Sequence, residues 1–254
     1  MTTLRTITTI ELSNDCQLAC RYCVNRDMEK KAHRRRQIMS DEVFEKCLDL
    51  LTDLCTRNTQ AEVNMNGNGE SFLDPKMFSR IAAVRNVIGK DRLLNISTNG
   101  LIMSDEIAQA LKHSGLDQMQ VSVHRPEVAR LAGQTLAING MKGSFNFGAV
   151  SAPHNWAGQI AKEHWVRVLP KIPCHPLMEG RGYVSVEGNI SPCCYDYRLL
   201  GAFGTVFDSD LVQREVKPFS LCETCHQEIP EEIAREYNVQ QIKRMDFATC
   251  TLQP

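Results

Sequence analysis

The stretch Cys16-Gln17-Leu18-Ala19-Cys20-Arg21-Tyr22-Cys23 sets three cysteines in a C-x3-C-x2-C spacing. Thiolates this close in sequence can converge on one compact centre, and thiolates are the ligands that hold iron and sulfide in clusters. A cubane has four irons, so three cysteines leave one iron open. A zinc knuckle is the plain alternative, although zinc sites favour C-x2-C pairs and four ligands. The stretch follows a strand-like run from Ile7 to Leu12. That order puts the cysteines at the carboxyl end of a strand, where α/β sheets and barrels carry their chemistry.

Outward from this loop, Met28 to Gln37 is a basic run without aromatics, which reads as a solvated loop rather than a nucleic-acid patch. Ser40 reads as an N-cap, and Val43, Cys47, Leu50, Leu51 and Leu54 recur at helical spacing, which makes Cys47 and Cys55 core residues. Ala61 to Asn66 reads as a second strand leading into Gly67-Asn68-Gly69-Glu70. Glycines let the backbone approach a ligand, and a glutamate behind them can accept hydrogen bonds from an ammonium group. Asp74-Pro75 opens the next helix. Leu93 to Ser97 is a third strand ending in Ser97-Thr98-Asn99-Gly100, and a helix follows from about Ser104 to His113. The strand Gln118 to Val123 ends in Ser122-Val123-His124-Arg125, where His124 either caps the strand or contacts a carboxylate or substrate. Further strands are expected near Gln134 to Asn139 and Ser144 to Val150. Six strands alternating with helices give a parallel sheet. A loop containing Trp156 follows.

Periodicity fades at Pro170-Lys171-Ile172-Pro173, which predicts a boundary there: a domain over 1–169, a cysteine-rich unit over 170–235, and a helix and tail over 236–254. The second unit carries Cys174, then Gly188 with Cys193 five residues on, then Cys222-Glu223-Thr224-Cys225. Gly182 to Glu187 alternates as a strand does, and Gly188-Asn189 is a hairpin turn signal. A structural zinc site is one reading of this set. Cys194 competes with Cys193 for a ligand position.

The C-x3-C-x-aromatic-C spacing, with Tyr22 before the last cysteine, resembles the signature of the radical S-adenosylmethionine enzymes. The G-N-G-E stretch is similar to that family's G-G-E motif, with Asn68 as a departure, and S-T-N-G resembles its ribose-contacting segment. The resemblance implies a [4Fe-4S] cluster on Cys16, Cys20 and Cys23, with S-adenosylmethionine bound by Tyr22, Gly67, Gly69, Glu70, Ser97, Asn99 and Ser122. It also implies an open partial (β/α)6 TIM barrel. The later cysteines resemble the "twitch" extension, a hairpin plus helix, which implies a second [4Fe-4S] cluster on Cys174, Cys193, Cys222 and Cys225. Members of this family cleave S-adenosylmethionine to a 5'-deoxyadenosyl radical that takes hydrogen from unactivated carbon. An external one-electron reductant of the flavodoxin or ferredoxin type is therefore the implied partner.

Among twitch-bearing members the layout is most similar to the neomycin C epimerases and next to the 2-deoxy-scyllo-inosamine dehydrogenases of aminoglycoside biosynthesis. The first strand begins by about Ile7, so no leader-peptide module is expected and an aminoglycoside is favoured over a peptide substrate. A polycation needs carboxylates at the mouth of the site, and Glu11, Glu187 and Asp196 are the candidates, with His124. An epimerase needs a hydrogen donor on the opposite face, and Cys250, in a tail without apolar periodicity, is the candidate thiol. The epimerase reading leads and alcohol oxidation is its rival.

The bulk numbers are compatible with this. At 254 residues, 43% hydrophobic, 23% charged and net charge −1, nothing points to nucleic acid or a membrane surface. No apolar run approaches the roughly 20 residues of a membrane span, and the N-terminus lacks a signal-peptide core. A cytoplasmic setting is expected, where eleven cysteines argue for metal sites rather than disulfides.

Overall fold

The computed structural model describes residues 2–20, 23–27, 34–122, 124–140, 142–146, 174–223 and 225. Its centre is a mixed eight-stranded sheet. The strands are β2 (Thr6–Ile10), β3 (Val63–Asn64), β4 (Leu94–Thr98), β5 (Gln118–Ser122), β6 (Gly143–Asn146), β7 (Arg181–Val184), β8 (Asn189–Ser191) and β9 (Gly204–Thr205). Their order is β6-β5-β4-β3-β2-β7-β8-β9. Neighbours from β6 to β7 are parallel, and β8 and β9 continue antiparallel. A separate pair joins β1 (Thr2–Thr3) to β10 (Glu215–Val216).

Four helices connect the parallel strands: α1 (Asp41–Thr56), α2 (Met77–Ile88), α3 (Asp105–His113) and α4 (Pro126–Ile138). A short helix, α5 (His175–Met178), precedes β7. Ser40 and Ser104 cap α1 and α3 by accepting from the amides of Val43 and Ile107, as serine does when an N-terminal N–H lacks an intrahelical partner. Strand alternation then decides the core. Val63, Met65, Leu94, Ile96, Met119 and Val121 pack with Cys47, Leu51, Leu54, Ile81, Val84 and Leu111 in one apolar cluster. Cys47 is fully buried and Cys55 packs against the same cluster, as their helical spacing requires.

Three sequence expectations change. Residues 134–138 are helical, because Pro126 opens α4 and Ala129, Ala132 and Leu136 bury one face at helical spacing. The sixth parallel strand among the described residues is instead β7, which follows Pro170-Lys171-Ile172-Pro173 in the sequence and pairs with β2. The hairpin β7–β8 therefore extends the main sheet, turning through Ser185 to Gly188 with Gly188 at φ 87°. Finally, the basic run is not wholly solvated: Arg34 is 6% exposed. Its stem and guanidinium are drawn inward by two glutamates, which charge counting along the chain does not reveal.

Candidate functional site

The cysteine loop begins where β2 ends. Asp15 accepts from the Cys16 amide at 2.9 Å, and its carbonyl accepts from the Glu70 amide at 2.7 Å. Asn25 donates to the carbonyls of both Asn14 and Asn68. The C-x3-C-x2-C loop is thus fastened along the G-N-G-E segment that follows β3. Both glycines serve this contact. A Cβ on Gly69 would lie 2.4 Å from the carbonyl oxygens of Ser13 and Asp15, and one on Gly67 would lie 2.5 Å from Glu11 Cγ. Their lack of a Cβ lets the segment after β3 approach Glu11 and the start of the cysteine loop closely. Gly69→Ala is expected to cost about 1–3 kcal/mol and to displace the cysteine loop. Thermal melting with iron analysis after reconstitution checks it, and wild-type values in both would contradict it.

Cys16, Cys20 and Cys23 pack together with Leu18 and Leu101. The Leu18 amide donates to Cys16 Sγ and the Asn25 amide to Cys23 Sγ, each at 3.4 Å. Asn99 Nδ2 lies 3.9 Å from Cys16 Sγ, and His124 Nδ1 lies 3.8 Å from Cys20 Sγ. Burial pushes the Cys16 thiol up to about 12, so a thiolate there needs a cation beside it. Among the described residues no three His, Cys, Asp or Glu side chains converge as they would round a single metal ion. Three grouped thiols with N–H···S donors fit a multi-iron cluster.

Glu70 is 3% exposed and spans the ends of two strands, accepting from the Asn99 amide at 2.8 Å and the Phe72 amide at 3.3 Å. Burial raises its carboxyl above the usual range, which an ammonium beside it would offset. Gln17 Oε1 and Nε2 and Asn66 Oδ1 are buried without a hydrogen-bond partner among the described residues. Orphaned polar atoms around the loop fit a polar cofactor such as S-adenosylmethionine. Ser97 and Ser122 lie on the sheet face opposite the apolar core, and Ser97 Oγ is 3.4 Å from Gln120 Oε1.

The carboxylates expected at the mouth are elsewhere. Glu11, fully buried, accepts from the Asn68 amide and side chain, the Val186 amide and Arg34. Asp196, also fully buried, accepts from Ser191 Oγ and the amides of Leu200 and Gly201. Glu187 pairs with Arg34 at 2.8 Å. Glu11 and Asp196 are satisfied within the fold, as a buried carboxylate requires, and the half-buried Glu187 is engaged by Arg34. Asn68, the departure between the glycines, links Glu11 to the Tyr183 hydroxyl. His124 approaches a cysteine of the loop. Asp15, Asn25 and Arg34 were missed: each acts through a contact distant in sequence, and only the aspartate directly before Cys16 carried a local signal.

In the later chain, Cys174, Cys193, Cys222 and Cys225 are electrostatic neighbours: burial and the nearby thiols of Cys194, Cys225 and Cys174 raise Cys193, and burial with Cys174 and Cys222 raises Cys225. Cys194 is exposed, next to this group. Tyr22 and Cys250 lie outside the described residues. No described helix is long and apolar enough to cross a membrane.

Comparison with known proteins gives a family and a fold. The Radical SAM superfamily model matches residues 10–145. A curated relative, GTP 3',8-cyclase of Aquifex aeolicus (strain VF5), is 29% identical over 116 residues, 45% of this chain but 34% of that protein, so the chain spans about a third of that relative's length. BtrN in complex with AdoMet and 2-DOIA superposes with TM-score 0.65 at 18% identity, over 88% of this chain and 86% of that one. Native anSMEcpe with bound AdoMet superposes with TM-score 0.59 at 13% identity, over 91% and 86%. At such identities the two solved structures speak to the fold alone.

Proposed function

Because the chain belongs to the radical SAM superfamily, we propose that it oxidises an alcohol carbon of a small hydroxylated molecule. Cys16, Cys20 and Cys23 would hold a [4Fe-4S] cluster, and Gly67, Gly69, Glu70, Ser97, Asn99 and Ser122, with Tyr22, would bind S-adenosylmethionine. Together these groups, once reduced by a flavodoxin- or ferredoxin-type donor, supply a radical able to take hydrogen from unactivated carbon. The chain's own residues hold the target beside that radical and exclude competing donors, since geometry decides which hydrogen leaves.

The observation that supports this reading is the grouping of Cys174, Cys193, Cys222 and Cys225, which gives the electron released by oxidation a place to go. The same set resembles that of the twitch-bearing epimerases, so the product decides between the two. Converting a carbinol to a carbonyl removes a hydrogen atom, a proton and an electron. Bound S-adenosylmethionine would supply the acceptor for the hydrogen atom, the proton would leave to solvent, and these four thiols would hold a second [4Fe-4S] cluster that would supply the electron acceptor. Epimerisation would need a hydrogen donor instead, for which Cys250 is the candidate thiol. Mass spectrometry of products formed anaerobically in deuterated water tests the choice. Oxidation yields a product two hydrogens lighter, with no deuterium on the reacting carbon. A product with one carbon-bound deuterium and an inverted centre would overturn it in favour of epimerisation.

A further inference from the structure

Seven of the eight strands of the sheet carry no charged residue, β7 with Arg181 being the exception, and four adjacent ones matter here: Thr6–Ile10, Val63–Asn64, Leu94–Thr98 and Gln118–Ser122. One face of each belongs to the apolar core. On the opposite face stand amides and hydroxyls, and the register lines them up. Asn64 pairs with Asn95, and Asn95 with Gln118, in one row. Ser97 pairs with Gln120 in the next, and Ser122 follows at the end nearer the cysteine loop.

This is an unusual lining for a parallel sheet, whose strands are ordinarily apolar on both sides. Nor are the amides spent on one another. Asn95 is only 9% exposed, yet its Oδ1 has no hydrogen-bond partner among the described residues. An orphaned buried amide oxygen is a cost that an incoming donor removes. Gln118 and Gln120 are exposed on the same face, Gln120 Oε1 accepting from Ser97 Oγ at 3.4 Å.

We infer that this face is the substrate-selecting surface and that it takes a neutral, hydroxyl-rich ring rather than a polyammonium one. The inference rests on the proposed oxidation of a hydroxylated molecule and adds the chemistry that selects it. Hydroxyls both donate and accept, as side-chain amides do, so a polyol can satisfy the row in either sense. Among the described residues these four strands offer an ammonium group no carboxylate in exchange for the water it would lose. Glu11, close to the segment after β3, cannot serve: it is fully buried and already engaged by Arg34 and Asn68.

The test is binding, read without turnover, so that it stands apart from the redox reading. Reconstituted, unreduced protein with S-adenosylmethionine is titrated by calorimetry with neutral cyclitols and with diamino derivatives of the same rings. The neutral rings are expected to bind at least about tenfold tighter, a difference of about 1.4 kcal/mol. Asn95→Asp should reduce or reverse that preference. Gln120→Glu, at an exposed position, should shift it the same way without burdening the fold. Three results would each overturn the inference: tighter binding of the diamino rings by wild type, no binding of any neutral ring, or an unchanged preference in both variants. Preference for neutral rings by a protein that never oxidises them would leave it standing and remove the redox reading.

Discussion

Alanine at any one of Cys16, Cys20 and Cys23 is expected to abolish formation of 5'-deoxyadenosine and to lower bound iron by about four per chain, the content of one cubane. The three thiols share one apolar cluster, and their donors are loop amides and Asn99. No spare thiol is at hand in the α1 helix, because Cys47 is fully buried in the sheet's main core. Chromatography of the nucleoside products with iron analysis reads the result, and retained cleavage by any of the three variants would contradict the assignment.

The second large effect is expected at Arg34. Its guanidinium donates to Glu11 Oε2 at 2.5 Å, to Glu187 at 3.0 and 2.8 Å, and to the Tyr197 carbonyl at 3.0 Å. Burial works against its charge, but Glu11 and Glu187 more than offset this and hold it protonated. Arg34→Met should cost about 3–5 kcal/mol in denaturant unfolding, since it strands a buried carboxylate at Glu11. The lost contact ties the end of β2, where the cysteine loop starts, to the β7–β8 hairpin that leads to Cys193. Glu187 adds a pH dependence. Although burial alone would raise its carboxyl, Arg34 holds it below the ordinary range. Its contribution is therefore fully present above the unfolded value, about 4.3, and is lost as pH falls through the lower folded value. Wild type should lose this increment on acidification below about pH 4.3 while Arg34→Met, lacking it already, shows a shallower acid limb. A variant within about 1 kcal/mol of wild type at pH 7 would contradict the buried-pair account.

What could be read from the chain alone divides by the range of the interaction. Ser40 capping α1, the helical stripe from Val43 to Leu54, and the turn at Gly188 are local, and each is where its spacing put it. Residues 134–138 were misread because Leu136, Ala137 and Ile138 make a short apolar run, and such a run suits either period; only the preceding Ala129 and Ala132 fix it as helix. The cysteine spacing located the site, but its supports did not show. Arg34 meets Glu187 across 153 residues, and Asn68 meets Tyr183 across 115. A basic run and an asparagine between glycines give no hint of partners so far away. The neutral face of the sheet was legible as residues, since V-N-M-N, L-N-I-S-T and Q-M-Q-V-S are plain in the sequence. It acquired meaning only when the register aligned the amides.

The central claim is that the loop from Cys16 to Cys23 holds a cluster that cleaves S-adenosylmethionine reductively. The most direct measurement is the yield of 5'-deoxyadenosine and methionine from anaerobically reconstituted wild-type protein given dithionite and S-adenosylmethionine. The account predicts both products in equal amounts and none without reductant. Iron- and sulfide-loaded protein that forms neither would contradict it.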